Sequence, residues 1–302
     1  MRHRAELALI GVTIIWGTTF VVVKSALADV SAFVFLTLRF VLAAALLGLI
    51  YRKAVRRASI GPGLLAGGLL FTAYVFQTLG LEYTTPSKSA FLTGLSIPMV
   101  PLASSCVYRV KPRLVEVAGI LIATIGMALM TVSASVSLQS GINRGDLLSF
   151  LCAVTFALHI VVIGHYSPII GHESLSVIQI AVAAMAGLAV FRLAEPVHFR
   201  LTPVVAGALL LTGPFATALA FTTQAWAQKY TSATRAALIF ALEPVVAWTT
   251  SWVLTGETLP NRGKVGAGAI LAGILLVEMT RSERGLETSG SGSETKAAGV
   301  TS

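Results

Sequence analysis

The chain has 302 residues, 55% of them hydrophobic and only 12% charged, with a mean hydropathy of +0.83 and a formal net charge of +9. Soluble domains carry roughly 25% charged residues, so a soluble fold could not cover this chain with polar surface, and a lipid bilayer must be its solvent. The positive balance does not argue for a nucleic-acid partner, because the basic residues flank apolar runs, where they orient a membrane protein.

A helix that crosses the hydrocarbon core needs about 20 apolar residues. Ten segments meet or approach that length, in chain order Ala5–Val23, Ala32–Ile50, Gly63–Leu81, Ala90–Tyr108, Leu114–Val132, Asp146–Gly164, Ser174–Phe191, Pro203–Trp226, Ala233–Leu254 and Gly263–Thr280. The pattern predicts an all-α integral membrane protein of ten transmembrane helices. The first span is not read as a signal peptide, since its apolar run is long and no small-residue cleavage motif follows promptly. A break at residues 133–144 separates two halves, 1–132 and 145–280, and the Gly-, Ser- and Thr-rich residues 281–302 are expected to be disordered. Cys106 and Cys152 fall inside separate spans and form neither a disulfide framework nor a metal site. No cofactor is expected, and no nucleotide-binding loop is present.

Lys and Arg counts orient the chain. With the N-terminus inside, the first half places Arg2, Arg4, Arg52, Lys53, Arg56, Arg57, Arg109, Lys111 and Arg113 in the cytoplasm and only Lys24 and Lys88 outside. The second half has lost that bias. The expectation is a multi-pass protein of the cytoplasmic membrane with both termini inside.

The two halves repeat one another. Tyr74 to Leu92 reads YVFQTLGLEYTTPSKSAFL, and Phe221 to Ile239 reads FTTQAWAQKYTSATRAALI. Gln77 matches Gln224, Tyr83 matches Tyr230 and Lys88 is answered by Arg235, at a constant separation (224 − 77 = 147). Trp16 aligns with Phe156 and Arg39 with Gln179 at a slightly different one (156 − 16 = 140). Five spans per copy is an odd number, so the copies must enter the membrane from opposite sides. Inverted repeats of this kind belong to transporters that bind substrate between the copies.

The segments WGTTFVVVK from Trp16, LRF around Arg39, YTTPSKSAFL from Tyr83 and LEPVVAWTTSWVLTGETLPNRGKVGAGAILAGILL from Leu242 resemble the EamA family, the large bacterial branch of the drug/metabolite transporter superfamily. The resemblance covers residues 5–131 and 145–280. It implies ten helices in two inverted five-helix repeats around a central cavity, in the bacterial inner membrane, with small metabolites such as amino acids, or toxic compounds, as cargo. The first half departs from the family pattern, because Ser96-Ile97-Pro98 stands where a twin of Glu243 would be.

Seven residues are candidates for the substrate pathway. An acidic side chain at mid-membrane costs about 2.5–3.5 kcal/mol on insertion scales, so Glu243 should face a cavity or a partner, where it suits proton exchange or a cationic substrate, or it bonds a neighbouring helix beside Pro244. Gln77 and Gln224 form a symmetric amide pair that either lines the path or bonds between helices. Arg39 either attracts a carboxylate, or snorkels outward to the interface or braces another helix, the latter readings being favoured. His159 is a proton relay or, more in keeping with its setting, a packed neutral ring. Trp16 and Tyr74, with Phe20, Trp226 and Trp248, offer aromatic surface for amphiphilic cargo. Lys24 and Lys88 are read as anchors at span ends. Small residues at helical spacing, including Gly63 and Gly67, Gly119 and Ala123, and Gly268 and Ala272, permit close helix approach within the chain or in a homodimer.

A secondary transporter of small organic molecules is the leading function. A membrane-embedded enzyme would need paired acids, a His–acid motif or a metal cluster, none of which the spans and loops offer; a receptor or scaffold would have little room for an ectodomain.

Overall fold

A computed structural model describes residues 1–84, 86–109, 111–131, 144–255 and 261–277. The joining segment up to residue 143, the Gly256-Glu257 pair, the C-terminal residues 281–302 and the side chain of Lys88 lie outside the described residues. What is described is helical apart from turns and one bridge between Val30 and Phe199. The helices are α1 (Arg2–Ala26), α2 (Ala32–Tyr51), α3 (Ile60–Tyr83), α4 (Pro86–Gly94), α5 (Ser96–Tyr108), α6 (Leu114–Thr131), α7 (Arg144–Ile170), α8 (His172–Ala194), α9 (Pro203–Leu210), α10 (Ala220–Ala227), α11 (Ala233–Phe240), α12 (Glu243–Thr255) and α13 (261–277). Seven stretches are long and apolar enough to cross a membrane, among them Ser89–Tyr108 across α4 and α5 and Pro203–Ala227 across α9 and α10.

Where they are described, the apolar segments of the sequence are therefore helical, but three of these described paths are interrupted. Between α9 and α10 the chain runs as a π-helix, Leu211–Leu219, around Pro214. Proline has no N–H for the carbonyl one turn back and its ring crowds that turn, which opens the ladder to the wider register. Between α4 and α5, and again between α11 and α12, a tight turn breaks the helix at mid-span, with Pro98 and Pro244 near the start of the following segment, where a missing N–H costs nothing.

The halves interlock rather than sit side by side. α2 packs on α8; α3 packs on α7 and α8, while the Pro203–Ala227 stretch packs on α1 and α2; α4 and α5 pack on α7, while α12 packs on α1. Glycines set the closest approaches. A Cβ on Gly67 would lie 2.6 Å from the Gln179 carbonyl oxygen, and one on Gly126 2.6 Å from that of Gly266. Gly119 and Ala123 of α6 meet Gly273 of α13, so that small-residue face is spent inside the chain, whereas Gly268 faces open space.

One ion pair ties the halves at the end of the bundle where α6 begins. Arg235 Nε lies 3.0 Å from Glu116 Oε1, with both side chains under one-tenth exposed. The other carboxylate oxygen accepts the Arg113 backbone N–H at 2.9 Å, and the Ser232 hydroxyl accepts that of Arg235.

Two stability outcomes follow. Gly273→Leu should destabilise the detergent-solubilised protein by about 1–3 kcal/mol through overpacking, while Gly268→Leu should leave its unfolding temperature close to that of the parent. Glu116→Ala or Arg235→Ala should each cost about 3–5 kcal/mol by stranding a buried charge, and the double substitution less than the sum of the two, which a double-mutant thermal-unfolding cycle measures.

Candidate functional site

The interrupted helices converge on one cavity in the middle of the bundle. From the first half its wall takes Trp16, Thr19 and Phe20 of α1, Tyr74 and Gln77 of α3, Thr93 of α4 and Ser96 of α5. From the second it takes Phe156, His159 and Ile160 of α7, Gln224 of α10, Phe240 of α11 and Glu243 of α12. Trp16, Thr19 and Phe20 have Phe156, His159 and Ile160 as counterparts 140 positions on (159 − 19 = 140), and Gln77, Thr93 and Ser96 have Gln224, Phe240 and Glu243 at 147 (243 − 96 = 147). Tyr74 is left over, and its counterpart Phe221 packs edge-on against it at 6.0 Å between ring centroids. The wall is thus built from the same places in the two halves. The space open to the centre of a water molecule is about 40 Å³, room for a few waters and far from the roughly 300–1,000 Å³ of a drug-sized ligand site.

Glu243 is the first residue of α12, so its carboxylate sits at the positive end of that helix dipole. It makes no hydrogen bond or ion pair with a described residue, and its remaining exposure faces the cavity. Gln224 is buried; its Nε2 donates to Gln228 Oε1 at 3.1 Å, and Gln228 Nε2 donates onward to the Ile160 carbonyl at 3.0 Å. Gln224 Oε1 has no partner among the described residues. His159 Nε2 lies 2.8 Å from Gln179 Oε1, both residues fully buried, and Nδ1 of the ring has no partner among the described residues.

Arg39 does not reach the wall but stands directly behind it. Its Nε donates to Thr217 Oγ1 at 2.6 Å, one terminal nitrogen donates to the Tyr74 hydroxyl at 2.8 Å, and the guanidinium lies 4.1 Å from the Tyr74 ring centroid. The Ala216 carbonyl, in the π-helical turn, accepts Trp16 Nε1–H at 2.8 Å and a longer contact from Arg39 at 3.5 Å. An interrupted helix in hydrocarbon needs such partners for its freed backbone groups. Arg39 and Trp16 supply them, and each is in turn fixed by the bond it makes.

Six of the seven residues singled out in the sequence therefore share one cavity, and the seventh orients one of the six. Trp226 instead packs edge-on against Tyr230, and Trp248 stacks on Trp252, away from the wall. Lys24 donates to the carbonyls of Leu81 and Glu82 at the end of α3. Sequence reasoning missed Thr19, Thr93, Ser96, Phe156, Ile160 and Phe240 on the wall, although the repeat offset from His159 leads to Thr19 and that from Glu243 leads to Ser96. It also missed Gln179 as the partner of His159, Thr217 as that of Arg39, and the Glu116–Arg235 pair.

The model of the EamA-like transporter family matches the chain twice, over residues 3–132 and 143–279. An uncharacterized transporter of Archaeoglobus fulgidus is 34% identical over 284 residues, covering 92% of this chain and 87% of that one. The uncharacterized transporter YyaM of Bacillus subtilis is 26% identical over 91% of this chain and 94% of its own. A crystal structure 20% identical in sequence superposes with a TM-score of 0.75 over 93% of this chain and 98% of the other, a likeness of fold.

Tyr74→Phe keeps the ring but takes away a partner of the buried Arg39 guanidinium. It should lower stability by about 1–3 kcal/mol, read as a drop in the thermal unfolding midpoint, with Thr217→Val having a similar effect.

Proposed function

The chain belongs to the EamA-like transporter family of the drug/metabolite transporter superfamily, and from that premise we propose that it is a secondary transporter moving small organic metabolites by alternating access. The observation that carries the reading is the cavity wall, drawn from equivalent positions of the two halves. A site on the axis between two such copies can be reached from either face by the same rearrangement run in opposite senses.

Ten spans in two inverted five-helix repeats, 1–132 and 145–280, belong to the same proposal. Counting α4 with α5, α9 with α10 and α11 with α12 gives five paths on each side of the joining segment. The reciprocal packing, α3 on α7 and α8 against Pro203–Ala227 on α1 and α2, supports a twofold relation between the halves. The basic bias of the first half supports cytoplasmic termini. A homodimer would find small residues in the outward-facing Gly268 and Ala272.

The cargo is inferred from the wall. A carboxylate without a partner among the described residues calls for a cationic group or a proton, and Trp16, Phe156 and Phe240 around it suit an apolar or aromatic body. Amino acids and related amines fit both demands, with Gln77, Gln224 and His159 available to hydrogen-bond a polar head. Glu243 is then the residue through which proton coupling would act, since a group that holds either a proton or the cation can exchange one for the other.

Reconstitution into liposomes with a panel of labelled amino acids and organic cations, with and without an imposed pH gradient, tests this. The expected result is uptake of at least one amine-bearing compound, stimulated by the gradient, with Glu243→Gln losing the stimulation. Unchanged uptake and pH dependence in Glu243→Gln would exclude proton coupling through this residue.

A further inference from the structure

A second hollow lies toward the end of the bundle where α5 stops and α11 starts. It measures about 240 Å³ on the scale by which the central cavity measures about 40 Å³. Ser104 and Tyr108 of α5, Gly164 and His165 of α7, and Ser232 and Thr234 beside α11 define it. Tyr108 and His165 stack with ring centroids 3.8 Å apart and planes 8° from parallel. No Asp, Glu, Lys or Arg side chain lines it among the described residues.

Its position relative to the central cavity is what gives it meaning. Ile160 and Val161 are neighbours in α7, the first on the cavity wall and the second on that of the hollow. On the opposing path, Phe240 of the cavity and Ala233 of the hollow are seven residues apart, about 10 Å at 1.5 Å per residue. The two spaces thus draw their walls from the same two paths, α7 and the α11 path, at positions one to two turns apart. Gly164, on the hollow, lies one turn beyond Ile160 of the cavity wall and is closely packed: a Cβ there would come within 3.1 Å of both Ala233 Cβ and Gln228 Nε2, and Gln228 is the residue that holds Gln224 of the cavity. The repeat-equivalent position of the first half carries Lys24 (164 − 24 = 140). Its side chain crosses to α3 and bonds the carbonyl of Leu81, itself the counterpart of Gln228 (228 − 81 = 147). The same contact is bridged by a lysine at one end of the protein and left to a glycine at the other.

We propose that the hollow between α5, α7 and α11 is the vestibule through which cargo passes between the central cavity and the cytoplasm, with Gly164 as its throat. This rests on the transport reading and adds to it a route and a residue that sets its width. A lining of hydroxyls and stacked rings without fixed charge suits a small amine-bearing solute, which can slide past hydrogen-bonding groups without being trapped by an ion pair.

The route can be followed with a membrane-impermeant cationic thiol reagent, methanethiosulfonate ethyltrimethylammonium, in a Cys106→Ser, Cys152→Ser background. Ser232→Cys reports on the mouth of the vestibule and Ser96→Cys on the cavity wall, each in inverted and right-side-out membrane vesicles. Both should react faster in inverted vesicles. Adding Gly164→Leu should slow Ser96→Cys by about tenfold, the effect of roughly 1.4 kcal/mol of added barrier, while leaving Ser232→Cys near its original rate; Gly164→Ala should be intermediate and serves where the leucine variant does not elute as a monodisperse species. Overturning results are a Ser96→Cys rate indifferent to both Gly164 substitutions, faster reaction of Ser96→Cys from the opposite face, or no reaction at Ser96→Cys from either. Should the labelling pattern hold while no compound of the panel is taken up, the vestibule stands and the transport reading falls.

Discussion

Hydrocarbon gives a backbone N–H or C=O nothing to bond, so a helix interrupted at mid-membrane must find partners inside the protein or line a polar space. Among the described residues three helical paths are interrupted, at Leu95, at the Leu211–Leu219 π-helix and at Ala241-Leu242. Side chains around the central cavity help meet that demand. Trp16 and Arg39 serve the π-helical turn, and the break before α12 delivers Glu243 to the cavity at the head of a new helix. The cavity lies where the interrupted helices meet, and Trp16 both lines it and bonds the π-helical turn, while Arg39 braces that turn from behind the wall.

That dual duty explains how much of the site was legible in the sequence. Polar residues are rare in membrane spans because they are costly there, so Glu243, Gln77, Gln224, His159 and Arg39 stood out, and the doubling of Gln77 as Gln224 tied two of them to equivalent places. The helical segments were legible for the same reason, since long apolar runs have few other fates. What could not be read was pairing. Arg39 and Thr217 are 178 positions apart, and Glu116 and Arg235 are 119 apart, and nothing in the local pattern of any of the four announces the other. The interruptions also escaped notice, because Pro98, Pro214 and Pro244 sit in spans whose composition is otherwise continuous, and proline in a membrane helix permits a kink, a π-turn or a full break alike.

The small residues divide by what they touch. Gly63 and Gly67 let α3 lie against α8, and Gly119 and Gly126 let α6 lie against α13, because in lipid the attraction between helices comes from close packing rather than from exclusion of water. These contacts make rigid pairs. The broken paths carry their close contacts around the cavity instead, as with Gly17 of α1 against Val246 and the Glu243 carbonyl of α12. Glycine-packed pairs beside jointed helices are the division of labour that the proposed alternating access would require.

A cavity with room for only a few waters cannot hold a metabolite as it stands, so binding of the proposed cargo would have to be accompanied by widening. The cheapest place for that widening is where the backbone is already out of its α-helical register, since there a change of a few dihedral angles swings a half-helix without breaking a ladder of hydrogen bonds. Ala220–Ala227 and Glu243–Thr255 are half-helices of this kind, one carrying Gln224 and the other Glu243. Movement of either shifts a polar group of the wall together with the wall itself. A cargo that bonds Glu243 and Gln224 would therefore pull on the two segments best placed to move, and its binding energy would be coupled directly to the opening of one face and the closing of the other.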